Sequence, residues 1–303
     1  MPRIFAIGET VLDIIFENDI PVSACVGGSM LNSAVSLGRM HAPVSMITRY
    51  SLDQPGRMAD NFLKQNNVDI SLVKHNTDGK TTIALAFLDD AKKATYLFYQ
   101  DERINEGESK LPEFDQDDLL LFGSVYSIRP STRTYFSRLL ETARKAGICS
   151  IYDPNFRVAH LNDLEELKPA VLNNLRYASI VRGSDEDFTN IFGFDDPDTI
   201  YEVIKAFCPN LIITRGPDEI LLYTSKFMKR FSVPPITVVS TIGAGDSFNA
   251  GLLLALLNIG ANHNSLNRFS EQTWDELMSS GMACALAVCS SKENYVPVDF
   301  KPC

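Results

Sequence analysis

Residues 243–246 read Gly-Ala-Gly-Asp and combine a nearly bare backbone with one carboxylate. They follow an apolar segment at 233–239 that reads as a strand or extended chain, and they open a predicted apolar helix over 245–260. Because the first N–H groups of a helix lack internal partners, such a loop is suited to binding phosphate. A carboxylate there makes chemical sense if it faces a hydroxyl that attacks the phosphate. The alternative is that Asp246 only caps the helix and the glycines form a turn.

Other phosphate-binding motifs are missing from the sequence. Residues 8–13, after the first predicted strand, read GETVLD and not the GxGxxG of a dinucleotide-binding fold. DGKT at 78–81 ends like a P-loop, but Lys74 stands where the first glycine is needed. A nicotinamide-dependent oxidoreductase and a P-loop enzyme are therefore disfavoured.

Short apolar runs alternate with helical patterns, which predicts a parallel sheet covered by helices on both faces. The predicted strands are 3–7, 44–49, 119–123, 148–153, 178–182 and 211–215. The predicted helices are 32–40, 55–67, 131–146, 163–175, 197–207, 245–260 and 273–291. The predicted fold class is α/β, a three-layer sandwich around a central, mostly parallel sheet. A hairpin over 81–100 and the non-helical segment 10–25 are expected to add a small sheet beside it.

Composition indicates a globular protein of 303 residues, with 45% apolar and 22% charged residues. The net charge of −10 argues against nucleic acid or an anionic membrane surface as the main partner. The N-terminus lacks a signal-peptide pattern and no window is long enough to span a bilayer, so we expect a cytoplasmic protein. Six scattered cysteines without CxxC pairs do not indicate structural zinc or a disulfide framework.

TIGAGDSFNAGLL at 241–253 resembles the C-terminal motif of the ribokinase-like (pfkB) sugar kinases, D-T-x-G-A-G-D-x-F-x-A-G. GGSMLNSAVSLG at 27–38 is similar to the N-terminal motif of that family. Further landmarks follow in family order: IGETVLD at 7–13, DPNFR at 153–157 and TRG at 214–216. The likeness covers essentially the whole chain. It implies one ribokinase-like domain over 1–303, with the small sheet as a lid built from segments at about 10–26 and 80–104.

The resemblance implies ATP-dependent transfer of a phosphoryl group to a primary hydroxyl of a sugar. Asp246 would accept the proton of that hydroxyl. The loop from Gly243 would present the amides of Ala244, Gly245 and Asp246 as an anion hole for the moving phosphoryl group. A helix N-terminus favours an ionised carboxylate, so we expect a modest base.

Sugar binding is also implied by the resemblance. The implied substrate-binding residues are Asp13, Gly27, Gly28, Asn32, Tyr99 and Arg157. In the simpler interpretations, Asn32 is a helix N-cap and Asp13 is a solvated strand residue. Arg157 would steady phosphate or a sugar acid unless it forms a surface ion pair, and Tyr99 would close over the sugar unless it only packs the lid sheet.

The nucleotide side of the site departs from the family pattern. The implied nucleotide-binding residues are Ser184, Thr214, Gly216, Gly243 and Gly245. The usual N-x-x-E is SDED at 184–187, which puts Asp187 at the position linked to Mg²⁺. Ser240 replaces an aspartate that contributes to K⁺ binding in many relatives, so the sequence weakens the case for K⁺. We expect packing of Ile242 against the core to anchor the loop instead.

The sugar itself is less well defined than the reaction. DPNFR and SDED favour fructose, while GGSMLN and the segment around Tyr99 leave 2-keto-3-deoxygluconate open. Ribose or a nucleoside remains an alternative, as does a non-catalytic sugar-binding regulator. The retained Asp246 argues against the regulator, because binding alone needs no base there. The resemblance also implies a homodimer formed through the lid.

Overall fold

Strands and helices alternate in the computed structural model, which describes residues 1–88, 94–101, 103 and 110–302. The strands are β1 (Ile4–Ile7), β2 (Val11–Glu17), β3 (Ile20–Gly27), β4 (Val44–Ile47), β5 (Arg49–Ser51), β6 (Lys74–Asn76), β7 (Ile83–Leu88), β8 (Ala94–Tyr99), β9 (Leu119–Gly123), β10 (Cys149–Asp153), β11 (Ile180–Ser184), β12 (Leu211–Arg215), β13 (Glu219–Tyr223) and β14 (Met228–Ser232). The helices are α1 (Ser29–Arg39), α2 (Gln54–Gln65), α3 (Pro130–Ala146), α4 (Leu164–Leu175), α5 (Asp185–Phe192), α6 (Pro197–Ile204), α7 (Ala244–Asn258) and α8 (Glu271–Cys289).

The main sheet has eight strands in the order β14-β13-β12-β11-β10-β9-β1-β4. The strands from β12 to β4 pair in parallel, while β13 and β14 add an antiparallel edge. The carboxyl ends of the parallel strands therefore meet at one edge of the sheet, where open α/β sheets bind their ligands.

The core lies on both faces of this sheet. Ile4 and Ala6 of β1 pack in a cluster with residues of α1, α2, α7 and α8. Phe5 and Ile7 pack in a second cluster with residues of α3, α4, α5 and α6. Because neighbouring side chains of a strand point to opposite faces, both faces are covered and the fold has three layers. This confirms the predicted α/β class.

A four-stranded sheet, in the order β3-β2-β7-β8, lies beside the main sheet. Its two antiparallel hairpins join through the parallel pair β2 and β7. We call it the lid sheet, and it corresponds to the small sheet predicted from segments 10–25 and 81–100. Residues 89–93, 102 and 104 of the predicted lid segments lie outside the described residues.

The structure differs from the sequence predictions at several boundaries. Helix α1 begins at Ser29 and not at 32, because Gly28 is its N-cap. Residues 233–238 carry two prolines, which lack N–H donors, and the segment forms no strand. The β13–β14 hairpin and helix α5 were not predicted. In the described part of the chain, no helix is both long and apolar enough to cross a bilayer.

Candidate active site

The carboxylate of Asp246 lies between the first turns of α7 and α1. Ser29 Oγ donates to Asp246 Oδ1 at 2.6 Å, and Asn32 Nδ2 donates to Asp246 Oδ2 at 2.8 Å. Ser33 Oγ donates to the backbone oxygen of Asp246 at 2.8 Å. Because Gly243 is the N-cap of α7, the interpretation of Asp246 as a cap is wrong. Its side chain instead joins two helices that are far apart in sequence.

The loop before α7 is held by backbone contacts. Gly243 has a left-handed backbone (φ 82°), and a Cβ there would come within 2.1 Å of Asn294 O, so only glycine fits. Upstream, the N–H groups of Val239 and Ser240 donate to Cys289 O at 2.8 and 3.3 Å. Ile242 is 49% exposed, so the expectation that it anchors the loop by packing was wrong.

Desolvation raises the pKa of Asp246 above its ordinary value. Hydrogen bonds from Ser29 and Asn32 oppose this shift, whereas the negative charge of Asp153 adds to it. The sequence-based expectation that the helix N-terminus favours the ionised form was therefore wrong in direction. A raised pKa makes Asp246 a stronger base than an exposed aspartate.

Asp13, Gly27 and Asn32 lie on the α1 side of the same site. Asp13 is half-buried on β2, and a Cβ on Gly27 would come within 2.1 Å of Asp13 Oδ2. Burial, and then the charge of Glu9, raises the pKa of Asp13 to about 7. Asn32 is a helical residue and not an N-cap, and its buried Oδ1 has no hydrogen-bond partner among the described residues. A ligand hydroxyl would supply that partner.

The lid sheet places Tyr96 and Phe98 on the face of Asp13, whereas the aromatic residue predicted there was Tyr99. Asp13 is paired with Ala84 and Ala84 with Phe98, so these three side chains share a face. Tyr99 is paired with Ile83 and lies on the opposite face, 59% exposed. Tyr96 shares the face of Phe98, stacks on it, and has its pKa raised by burial and by Asp13. The structure does not bring Tyr99 to the site, because strand side chains alternate between faces.

Arg157 lies within electrostatic reach of the site although its side chain is exposed. Its positive charge acts to lower the pKa of Asp246 and of Asp187, against the larger effect of burial. It acts in the same direction on the pKa of Tyr96. Arg157 therefore belongs to the charged surroundings of the site, and no ion pair of the described residues involves it.

Three of the predicted nucleotide-binding residues meet at the ends of two neighbouring strands, while Gly243 and Gly245 lie at the start of α7. Ser184 of β11 is the register partner of Thr214 of β12, and Gly216 follows with a left-handed backbone (φ 53°). Asp187 Oδ2 accepts hydrogen bonds from Ser184 N and Ser184 Oγ, at 2.9 and 2.7 Å, and so completes a capping box at the start of α5. Burial, and then Asp153, raises the pKa of Asp187.

Several site residues were missed from the sequence. Ser29 and Ser33 lie in the glycine-rich N-terminal motif, but only the docked helices show that they hold Asp246. Glu9 Oε1 accepts from Gln100 Nε2 and Arg129 Nη1, both at 3.0 Å, which ties the end of the lid hairpin to α3. Arg182, in the middle of β11, forms a buried ion pair with Asp153 at the end of β10. In the sequence, Arg182 stands out only as a charged residue at the end of the apolar run 178–182.

The pfkB family carbohydrate kinase profile matches residues 1–300. The chain is 27% identical over 301 residues to the probable fructokinase-6 of Arabidopsis thaliana, covering 95% of this chain and 77% of that protein. It is 25% identical over 303 residues to the aminoimidazole riboside kinase of Salmonella typhimurium, covering 99% and 93%. The crystal structure of a Vibrio cholerae fructokinase with fructose, ADP and calcium superposes with a TM-score of 0.86 at 22% identity, covering 98% and 96%. That structure establishes the shared fold.

Replacement of Asp13 by asparagine should stabilise the protein above neutral pH. The carboxyl ionises near pH 4 in an unfolded chain but near pH 7 in the folded protein. The folded state thus binds the proton more tightly, and stability falls as pH rises through this range, by no more than about 4 kcal/mol. Thermal unfolding should show Asp13→Asn more stable than wild type at pH 8, with little difference at pH 4.

Asp19→Asn, an exposed acid in the turn of the same hairpin, is the matched control and should show no pH-dependent difference. Equal stability of Asp13→Asn and wild type at both pH values would contradict the raised pKa.

Proposed function

This chain belongs to the pfkB family of carbohydrate kinases, and we propose that it transfers the γ-phosphoryl group of ATP to a primary hydroxyl of a sugar, fructose first. The observation that carries this proposal is Asp246. Its carboxylate lies in the first turn of α7, whose N-terminal amides suit a phosphoryl group, although Ala244 N also donates to Thr241 O at 3.3 Å. Binding alone would not require a carboxylate beside an anion site.

In the proposed reaction, the sugar hydroxyl attacks the γ-phosphorus and its proton passes to an oxygen of Asp246. A bond forms between the sugar oxygen and phosphorus, and the bond from phosphorus to the β–γ bridging oxygen breaks, releasing ADP. The amides of Ala244, Gly245 and Asp246 stabilise the charge on the moving group. Ser29 and Asn32 hold the carboxylate in place, which matters because phosphoryl transfer depends mainly on positioning and charge stabilisation.

We assign the sugar to the space between Asp13, Asn32 and the lid sheet. The Asp13 carboxylate and the unpartnered Asn32 Oδ1 are acceptors for neighbouring sugar hydroxyls. Gly27 and Gly28 leave room for Asp13 Oδ2 and Glu9 O, because a Cβ would come within 2.1 and 2.2 Å of these atoms. Tyr96 and Phe98 replace Tyr99 as the aromatic cover, because they share a face with Asp13.

We assign the nucleotide to Ser184, Thr214 and Gly216, with Gly243 and Gly245 facing its phosphates. Ser184 and Thr214 supply hydroxyls at the ends of adjacent strands. Proteins of this fold have been solved with ADP, ATP or an ATP analogue bound, which supports ATP as the donor.

We propose that Asp187 helps to hold Mg²⁺. Mg²⁺ is bound by one or two carboxylates together with substrate phosphates and water, so one protein carboxylate fits this donor set. Within the described residues, no cluster of three or more His, Cys, Asp or Glu side chains forms a metal site by itself. The bound ion would neutralise charge on the phosphates, while Ser184 orients the carboxylate through Oδ2.

Fructose is placed first because the relatives include fructokinases and because DPNFR and SDED favour that subgroup. Aminoimidazole riboside is a second candidate, since a kinase of that substrate matches nearly the whole chain. Arg157, whose charge acts on the pKa of both Asp246 and Tyr96, supports 2-keto-3-deoxygluconate as a further alternative, because a guanidinium can bind its carboxylate.

We also propose that two copies of the chain form a dimer through their lid sheets. The lid sheet exposes large apolar side chains, with Tyr99 59%, Leu97 49% and Ile20 63% exposed. A second copy of the chain would cover them, and sedimentation of the protein at micromolar concentration measures this directly.

The proposed substrate is tested by an ADP-release assay with purified protein, ATP and Mg²⁺. We expect the highest kcat/KM with fructose, compared with aminoimidazole riboside, ribose, adenosine and 2-keto-3-deoxygluconate. A higher value for the keto-deoxy acid would replace fructose and make Arg157 the partner of its carboxylate. Absence of turnover with every sugar would contradict the proposed activity.

Activity should depend little on K⁺. Ser240 offers a cation a neutral hydroxyl, and this hydroxyl already accepts a hydrogen bond from Ile242 N at 3.2 Å. The loop is held instead by Cys289 O and by the contact of Gly243 with Asn294. Initial rates should change little when KCl is replaced by a bulky organic cation at constant ionic strength. A steep, saturable rise with K⁺ would refute this, and Ser240→Asp should create or strengthen K⁺ activation.

A further inference from the structure

Arg182 lies beneath the proposed anion hole, in the middle of β11, and is only 6% exposed. Its Nη1 donates to Asp153 Oδ2 at 2.9 Å, and its Nη2 donates to Thr214 Oγ1 at 2.8 Å. One guanidinium thus links β11 to the carboxyl ends of its two neighbours, β10 and β12.

The same guanidinium touches the first turns of α7. A Cβ on Gly245 would come within 2.6 Å of Arg182 Nη1, so the helix backbone lies directly against the guanidinium. The guanidinium carbon also lies 5.5 Å from the centre of the Phe248 ring. Asn249 Nδ2 donates to Asp153 Oδ2 at 2.6 Å and so links α7 to the anionic partner of the pair.

General stability does not explain this arrangement. A buried ion pair is often no more stabilising than apolar residues of the same volume. A cation next to a helix N-terminus also opposes the helix dipole. Moreover, Arg182 Nε is buried without a hydrogen-bond partner among the described residues. What the guanidinium provides is a rigid, planar contact between the sheet and the α7 backbone, which a flexible ammonium does not reproduce.

We propose that Arg182 is a positioning residue for phosphoryl transfer, which holds the first turn of α7 at a fixed distance from Thr214. This inference rests on the proposed function and extends it. Thr214 is on the nucleotide side of the site, and Gly245 is in the anion hole. The guanidinium between them aligns the amides with the phosphoryl group that the nucleotide presents.

Arg182→Lys tests this by keeping the positive charge near Asp153 and removing the planar fork. We expect kcat to fall about 10- to 100-fold, because even a small misplacement of the reacting groups slows the chemical step. KM for the sugar should stay within about twofold. Arg230→Lys is the matched control, since Arg230 is an exposed arginine that pairs with Glu219 on the edge of the same sheet. Its kinetics should equal those of wild type.

A second variant distinguishes a positioning role of Arg182 from a role in balancing the charge of Asp153. It also keeps the proposal testable if Arg182→Lys fails to fold. Arg182→Met leaves Asp153 buried and unpaired, so it should unfold at a lower temperature than wild type. Adding Asp153→Asn removes that charge and should recover stability without recovering kcat. Wild-type kcat in folded Arg182→Lys or in the double variant would overturn the inference. Absence of sugar-dependent turnover in wild type would instead refute the proposed function, and this inference with it.

Discussion

The contact between helices α1 and α7 is the constraint on which the site depends. Two side chains of α1, Ser29 and Asn32, hold both oxygens of Asp246, more than 200 residues further along the chain. Ser33 binds the backbone oxygen of the same residue. The docking of these helices on one face of the sheet therefore fixes Asp246, the proposed base, relative to the first turn of α7 and to the glycines before α1.

The site brings together several acidic side chains whose ionised forms are destabilised by burial. Burial raises the pKa of Asp13, Asp187 and Asp246, and Asp153 adds to the shift of the last two. Arg157 and Arg182 offset part of this charge. Burying these acids costs stability, and the proposed binding of sugar hydroxyls and Mg²⁺ would reduce that cost.

Much of this could be predicted from the sequence, because the strand–helix alternation and the glycine motif are local signals. The parts that failed depend on tertiary contacts. The face of Tyr99 follows from strand register, which no local pattern specifies. The direction of the Asp246 pKa shift follows from desolvation in the folded protein and from Asp153, at the end of β10. Arg182 belongs to no recognised motif, since the role proposed for it depends on contacts with β10, β12 and α7.

The central claim, that Asp246 is the base, is tested most directly by kcat of Asp246→Asn. Asparagine keeps the size and an acceptor oxygen but cannot take a proton at neutral pH. We expect kcat to fall at least about 10²-fold, with thermal stability no lower than wild type because a desolvated charge is removed. Glu271→Gln, an exposed acid in the first turn of α8, is the control and should keep full activity. Near-wild-type kcat in folded Asp246→Asn would contradict the account.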